Sequence, residues 1–403
     1  MTIPASADKP RRSHNLPSSC AASIASGAWL ELPSARYPRR AFDRKPHVKK
    51  LWPPDADKKP SILPLIDAPP GVDMRFGVFL GPIFPGDMAP ETAFAFALDT
   101  ARAARDSGFD GVFVGQHCLV GPSHLMFSPL LLLARVAGEC PGLDLGTAIF
   151  VLPLHHPIEI AEATATLDVI CGGQLILGLG AGYRQIEFDS FGVPSIVRSK
   201  RLAEGVQALR TLWSADNANF AGQLFQFKGV SIRPKPLRLG GPPIWIGADT
   251  ERGVAQAASI GDAWLASGRQ SKRLLRTLSA AYRRKLEELG RPFTGVPMFR
   301  EMHVALDGQR AELEMKEAFE RMYASYARWG QPGERYDQDF EVLRHERIIV
   351  GNPDECAAEV RRYAEEFEVP FMFFRAYWPG MEPEQALEAI RLFGQEVIPQ
   401  LRR

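Results

Sequence analysis

Residues 146–182 read GTAIFVLPLHHPIEIAEATATLDVICGGQLILGLGAG, and this stretch is the most informative part of the chain for its fold. Residues 147–152 form an apolar run with β-branched side chains, which predicts a strand buried on both faces. Residues 157–170 place apolar side chains at helical spacing, and residues 174–179 predict a second buried strand. A strand, a helix and a strand with a glycine-rich exit predict a parallel sheet whose strand ends hold a ligand.

The same alternation continues on both sides of this block. A hairpin insertion is predicted over residues 219–236, a loop over residues 183–195, and a long, mostly helical stretch up to about residue 345. Eight strand-like segments alternate with helices, at residues 75–80, 109–114, 147–152, 174–179, 243–247, 262–267, 296–306 and 370–375. The count favours an α/β fold of the (β/α)8 TIM barrel type, with hairpin and loop insertions. An open doubly wound sheet is the alternative that the same alternation permits.

Residues 1–73 differ from the rest of the chain. They contain twelve of its 33 prolines, an excess of Lys and Arg, and no sustained apolar periodicity. This composition predicts a low-complexity, disordered N-terminal extension, with the barrel in residues 74–403. Met74 is a candidate start of the native protein, in which case the upstream part is a tail or an over-extended reading frame.

The overall composition of the chain argues against several classes of protein. A formal net charge of +1 argues against a nucleic-acid-binding protein. No run of eighteen apolar residues occurs, so we expect no membrane span. The 5 cysteines are scattered and never in C-x-x-C spacing. Neither a disulfide framework nor a zinc site follows, and a reducing cytoplasm fits best.

The glycines at the exit of the second strand invite a dinucleotide-binding interpretation. Such a fold needs G-x-G-x-x-G running directly into a helix. Here the glycines stand at positions 178, 180 and 182, so the third comes one position early, and a predicted loop follows. A nicotinamide-binding fold is therefore disfavoured, whereas simple turn glycines remain an alternative to a ligand loop.

A better phosphate site follows the fifth strand. Gly247, Ala248, Asp249 and Thr250 come directly before a predicted helix, so free backbone N–H groups and the helix dipole favour an anion there. The alternative is that Asp249 or Thr250 simply caps the helix. A carboxylate at position 249 would repel a phosphate unless it is turned away.

His117 ends the second predicted strand, at the rim where barrel enzymes place catalytic groups. It is the candidate catalytic residue. His155 and His156 invite a metal interpretation, but adjacent histidines in a loop cannot easily bind one ion, and no H-x-H or H-E-x-x-H motif occurs. We therefore predict no metal.

Residues 145–157 and 167–184 resemble the third and fourth strands of the bacterial luciferase-like flavin-dependent oxidoreductases, and the similarity resumes at several points from Met74 to the C-terminus. The resemblance implies a barrel that binds a flavin, with the phosphate held by residues 247–250. It also implies that the glycine-rich loop borders the flavin ring, through the residues Gly180, Gly182, Tyr183 and Arg184.

Two further site features follow from the resemblance. Ala148 and Ile149 align with a position where the family often has a non-proline cis peptide behind the flavin ring. Relatives usually carry an acid directly before the histidine that corresponds to His117, whereas this chain has Gln116. Without a carboxylate to stabilise its protonated form, His117 is expected to be less basic.

These features lead to one main hypothesis and two alternatives. The main hypothesis is a monooxygenase that uses reduced FMN (FMNH2) and O2 to oxidise a small organic substrate. A separate NAD(P)H:flavin reductase would supply the reduced FMN. We expect a cytoplasmic homo-oligomer. The first alternative is a dehydrogenase or reductase that uses a deazaflavin (F-420 type). The second is a non-catalytic flavin-binding barrel, motivated by Gln116.

Overall fold

The computed structural model describes residues 74–80, 83–328 and 340–402, without the side chains of residues 321–328. The predicted disordered extension, residues 1–73, lies outside the described residues. Strands and helices alternate as the sequence predicts. The strands are β1 Arg75–Phe79, β2 Phe84–Pro85, β3 Gly111–Val114, β4 His124–Leu125, β5 Asp144–Phe150, β6 Leu175–Leu179, β7 Ala218–Ala221, β8 Gln226–Val230, β9 Ile244–Gly247, β10 Ala263–Leu265, β11 Met298–Val304, β12 Ile348–Gly351 and β13 Phe371–Arg375.

The helices pack around this sheet, and several begin with proline at the first helical position, where a missing N–H costs nothing. They are α1 Pro90–Asp106, α2 Pro129–Glu139, α3 Pro157–Ile170, α4 Gln185–Ser190, α5 Arg198–Ser214, α6 Glu251–Ile260, α7 Lys272–Glu288, α8 Gly308–Arg328, α9 Phe340–Arg347, α10 Pro353–Phe367, α11 Pro383–Leu392 and α12 Ile398–Leu401, with short turns at Leu152–Leu154, Ser195–Val197 and Phe393–Val397.

Nine strands form one sheet in the order β10-β9-β6-β5-β3-β1-β13-β11-β12, and every pairing in it is parallel. The sheet curls back on itself beyond β10, where Ala266 forms a parallel bridge with Met298 of β11. The Ala266 N–H donates to the carbonyl of Pro297 at 2.9 Å, and the Phe299 N–H donates to the carbonyl of Ala266 at 3.0 Å. The α/β barrel prediction is confirmed, and the open-sheet alternative is not supported.

The interior of the curled sheet is filled mainly by aromatic side chains. Phe113 stacks on Phe373 with ring centroids 4.0 Å apart, and Trp245 lies 5.8 Å from Phe113. The larger hydrophobic core lies between the outer face of the sheet and the helices. These side chains fill the interior of the barrel. Open space is left toward the C-terminal ends of the strands, where barrel enzymes bind their ligands.

The structure departs from the sequence prediction at several short elements, which include the antiparallel pair β2 and β4, strand β12 and helix α4. Strand β12, which pairs with the second half of β11, lies where the sequence predicted no strand, because four apolar residues between two helices carry no periodicity. Helix α4 lies inside the predicted loop of residues 183–195, and its six residues are too few to show an amphipathic pattern. Helix α4 matters for the site described below.

Candidate active site

A cavity of about 580 Å³ opens at the C-terminal ends of the barrel strands. This volume is in the range of small-molecule and cofactor sites. Residues in or directly after eight of the nine strands of the main sheet line its wall, so the cavity spans the barrel mouth. Ten of the eleven predicted site residues line it, namely His117, Ala148, Ile149, Gly180, Gly182, Tyr183, Gly247, Ala248, Asp249 and Thr250.

Arg184 is the predicted site residue that does not line the cavity. Its side chain is buried and turned toward the loop after β3, where it donates to the backbone carbonyls of Cys118 and, at 3.2 Å, Leu119. It also donates to the Glu187 carboxylate at 2.9 Å. Arg184 therefore fastens the His117 loop to α4.

The peptide bond between Ala148 and Ile149 is cis, as the resemblance implied. The Ile149 side chain packs against two glycines of neighbouring strand ends. A Cβ atom at Gly180 would lie 2.7 Å from Cδ1 of Ile149, and one at Gly247 would lie 2.9 Å from its Cγ2. Glycine is needed at these positions for Ile149 to pack this closely, and the result is a side-chain platform facing the cavity.

In the loop before α6, the Asp249 carboxylate is paired with a cation and does not repel an anion in the cavity. Thr250 is the N-cap residue, and its Oγ1 accepts a hydrogen bond from the Gly253 N–H at 3.1 Å. The Asp249 carboxylate is held by the Arg269 guanidinium and accepts a further hydrogen bond from Gln270 at 2.8 Å. Its negative charge is thereby balanced by a cation, so it does not stand free beside an anion.

Two helix N-termini meet at this end of the cavity, which we call the phosphate end (residues 247–250 with Arg198 and Arg252). Helix α5 begins at Arg198 and α6 at Glu251, and the side chains of Ser199 and Gln256 join them by a hydrogen bond of 2.9 Å. Arg198, Ser199 and Arg252 all line the cavity. Two helix dipoles and two guanidinium groups give this end a positive potential that favours an anion.

At the far side of the Ile149 platform, His117 has a carboxylate neighbour that the sequence did not suggest. The Nδ1 atom of His117 lies 3.6 Å from Oε1 of Glu187, which belongs to α4 and is almost fully buried. The expectation that no carboxylate stands beside His117 is therefore wrong. A residue 70 positions further along the chain supplies it, because α4 folds back over the β3 loop.

Glu187 is fixed in place and ionised. Its carboxylate accepts hydrogen bonds from the Cys118 N–H at 2.8 Å and from Arg184 at 2.9 Å. Burial by itself raises the pKa of Glu187, but the contact with His117 and these donors outweigh it, so the net pKa of Glu187 is lowered. The His117 ring therefore lies beside a fixed negative charge.

The Gln116 side chain has a structural role. Its side-chain oxygen accepts from the Val151 N–H at 2.7 Å, and its amide nitrogen lies 3.2 Å from Nε2 of His155. Because an amide N–H only donates, this ring nitrogen of His155 is the acceptor. Burial lowers the pKa of His155, which agrees with a neutral ring. Gln116 thus ties the end of β3 to the backbone just after the cis peptide.

The two adjacent histidines point to different surroundings. His155 stacks on Phe150 with ring centroids 4.6 Å apart, whereas Nδ1 of His156 accepts from the Ile158 N–H at the start of α3. In the part of the chain that the structure describes, no group of three or more His, Cys, Asp or Glu side chains is placed to hold a metal ion. Nor does any helix there have the length and apolar character that a membrane span requires.

Opposite the platform, the cavity has a wall that the sequence did not reveal. We call Phe79, Phe299, Glu301 and Arg375 the distal wall. Strand register brings them together, because Arg375 pairs with Phe79 of β1 on one side and with Glu301 of β11 on the other. The available signal was a charged residue at the C-terminal end of an otherwise apolar strand, a position that reads as functional in a barrel.

A barrel with a ligand-sized cavity at its C-terminal rim is the architecture of (β/α)8 enzymes. Residues 74–367 match the luciferase-like monooxygenase family, and the chain belongs to that family.

Relatives of the chain are oxidoreductases of two kinds. An F420-dependent glucose-6-phosphate dehydrogenase from Nakamurella multipartita is 26% identical over 75% of this chain and 91% of its own length. The 4-hydroxyprotoasukamycin monooxygenase from Streptomyces nodosus subsp. asukaensis is 26% identical over 72% and 81%. The solved structure of the monooxygenase RslO1 from Streptomyces bottropensis superposes with a TM-score of 0.72, at 24% identity, over 81% of this chain and 99% of that one. The family therefore contains both flavin monooxygenases and F420-dependent dehydrogenases.

Proposed function

We propose that this protein is a flavin-dependent monooxygenase that binds reduced FMN and uses O2 to oxidise a small organic substrate. The observation that carries the proposal is the two-ended cavity, with a positive phosphate end at one side and His117 beside a fixed carboxylate at the other. Between them lies the Ile149 platform, against which a planar ring can rest.

The residues present fit FMN. A terminal phosphate monoester carries close to two negative charges, which suits two helix N-termini and two guanidinium groups. Thr250 can add a hydroxyl group and still cap α6. The apolar side chains of Ile149, Leu265 and Phe299 exclude water from the inner part of the cavity. Reduced FMN, when bound there, supplies the electrons for splitting O2 between the substrate and water.

His117 is our candidate for holding and moving a proton. Its ring lies at the cavity wall, T-shaped against the Tyr183 ring with centroids 5.7 Å apart. Glu187 stands beside this ring as a fixed carboxylate, and the Arg184 guanidinium holds Glu187 in place. The substitution at position 116 was the reason to consider a non-catalytic barrel, and this carboxylate removes that reason. We infer that a separate NAD(P)H:flavin reductase supplies the reduced cofactor.

A second candidate function is that of a dehydrogenase or reductase using a deazaflavin (F-420 type). It is favoured by the F420-dependent relative that this chain matches over most of its length. The same phosphate end, platform and His117 would serve that cofactor, and a proton acceptor paired with an acid suits the oxidation of an alcohol.

The deciding experiment compares the two cofactors directly. The protein is titrated anaerobically with reduced FMN and with reduced F-420-type deazaflavin, and O2 uptake is then followed after air is admitted. Tight binding of FMN with accelerated, flavin-dependent O2 uptake supports the monooxygenase. Preferential deazaflavin binding replaces it with the dehydrogenase. His117→Asn should keep the affinity for the cofactor but lower turnover by at least about a hundredfold; equal turnover removes His117 from the proposal.

A further inference from the structure

The distal wall carries information about the substrate. In the closed ring of eight strands β11 lies across from β5 and β13 across from β6, so Phe299, Glu301 and Arg375 face the Ile149 platform. Phe79, on the neighbouring strand β1, flanks them. If the proposed flavin rests on the platform, the substrate must lie between the flavin and this wall. The inference below therefore rests on the proposed function.

Two phenyl rings form the apolar part of the wall. Phe79 and Phe299 lie with ring centroids 5.0 Å apart, and both line the cavity. The Arg375 guanidinium carbon lies 5.4 Å from the centroid of Phe79 and 5.3 Å from that of Phe299. Aromatic faces and a guanidinium plane are surfaces on which another planar ring stacks well.

The polar part of the wall is a buried ion pair. The Arg375 guanidinium lies 3.6 Å from Oε1 of Glu301, and both side chains are more than nine-tenths buried. The other oxygen of Glu301 accepts from the Trp378 indole N–H at 3.0 Å, which fixes the carboxylate. The wall therefore offers a donor and an acceptor side by side, with no net charge.

We propose that the distal wall selects an uncharged hydroxyarene, whose ring packs on Phe79 and Phe299 and whose hydroxyl group accepts from Arg375 and donates to Glu301. A hydroxyl group is the simplest group that satisfies a neighbouring donor and acceptor together. A carboxylate would place a second negative charge beside Glu301, in a position shielded from solvent, and is therefore rejected.

Three probes test this inference: 2-naphthol, 2-methoxynaphthalene, which lacks the donating hydrogen, and the anion 2-naphthoate. Their binding is followed by naphthalene fluorescence, with flavin-free and with FMN-loaded protein. We expect 2-naphthol to bind at least about tenfold more tightly than either of the others, the value of one hydrogen bond to a charged group. Weaker binding of 2-naphthol than of 2-naphthoate, or no binding of any probe to the wild-type protein, overturns the inference.

Two variants test whether Glu301 and Arg375 cause these binding preferences. In Glu301→Gln the guanidinium charge is no longer balanced, so 2-naphthoate should gain about tenfold in affinity while 2-naphthol loses affinity. The double variant Arg375→Met with Glu301→Gln removes both charges together and avoids leaving one buried alone, and it should bind all three probes alike. Unchanged preferences in both folded variants overturn the inference. Failure of FMN to bind refutes the proposed function separately, since the probe preferences are read on flavin-free protein too.

Discussion

Replacement of Glu187 by Gln removes the negative charge beside His117 and changes little else. The carboxylate is 1% exposed and is bonded to the Arg184 guanidinium at 2.9 Å and to the Cys118 N–H at 2.8 Å. Removing one partner of a buried ion pair costs about 3–5 kcal/mol, because the other charge stays buried. Gln keeps an acceptor oxygen for one of the two donors, so we expect about 3 kcal/mol at pH 7. That is a large fraction of the roughly 5–15 kcal/mol that stabilises a typical domain.

The free energy of unfolding that is lost in Glu187→Gln becomes smaller as the pH falls. The pKa of Glu187 is lowered in the folded protein from its ordinary value of 4.5. Its carboxylate therefore contributes its full stabilisation above pH 4.5, and this contribution is lost as the pH falls toward the lower folded pKa. The difference in the free energy of unfolding between the wild-type protein and Glu187→Gln should therefore be smaller at pH 3.5 than at pH 7.

Urea unfolding of the cofactor-free protein measures these differences, followed by both fluorescence and circular dichroism so that a two-state transition can be verified. Arg184→Met and the double variant, which carries both Glu187→Gln and Arg184→Met, complete a double-mutant cycle. The double variant should lose at least about 1.5 kcal/mol less than the sum of the two single losses, because it leaves no buried charge alone. A loss below about 1 kcal/mol in Glu187→Gln, or additivity within about 0.5 kcal/mol, would falsify the ion-pair assignment.

The remaining predictions concern the glycine-rich strand end, helix α2 and the phosphate end. Gly178→Ala places a Cβ atom 1.9 Å from the carbonyl oxygen of Thr147 and should cost at least about 3 kcal/mol, seen in urea unfolding. Gly138→Ala, whose new Cβ meets nothing within 4 Å in a helix, should stabilise by up to about 1 kcal/mol. Thr250→Ala removes the cap of α6 and should cost about 1 kcal/mol and weaken FMN binding in a titration.

Each of these predictions has an outcome that contradicts it. Equal stability of Gly178→Ala and Gly138→Ala would refute the close backbone packing of β5 on β6. For Thr250→Ala the matched control is Ser259→Ala, a hydroxyl deletion near the other end of the same helix. If both variants bind FMN alike, Thr250 does not belong to the phosphate end.

The barrel was predictable from the sequence because its strands are short apolar runs between turn residues, a pattern that local composition records. The same holds for the phosphate end, since a loop of glycine, acid and threonine before a helix is itself a local signal. Strand β12 and helix α4 were missed for the opposite reason: their residues carry too little periodicity to predict a strand or a helix.

The partners across the cavity could not be predicted in this way. Glu301 and Arg375 meet only because β11 and β13 pair in a particular register, and Glu187 reaches His117 only because α4 folds back over the loop after β3. Both contacts depend on where strands end relative to each other in the closed sheet. The pattern of apolar and polar residues along the sequence does not give the register between paired strands unless the strand ends are known to within one residue.

Gln at position 116 fits the rest of the site. Gln116 both accepts from the Val151 N–H and donates to His155, and a carboxylate could do only the first. An acid there would also add a second negative charge close to Glu187, in surroundings that already bury one. With the carboxylate supplied from α4 and neutralised by Arg184, the residue before His117 is free to hold the backbone beside the cis peptide. The carboxylate beside His117 thus comes from α4 and not from the preceding residue.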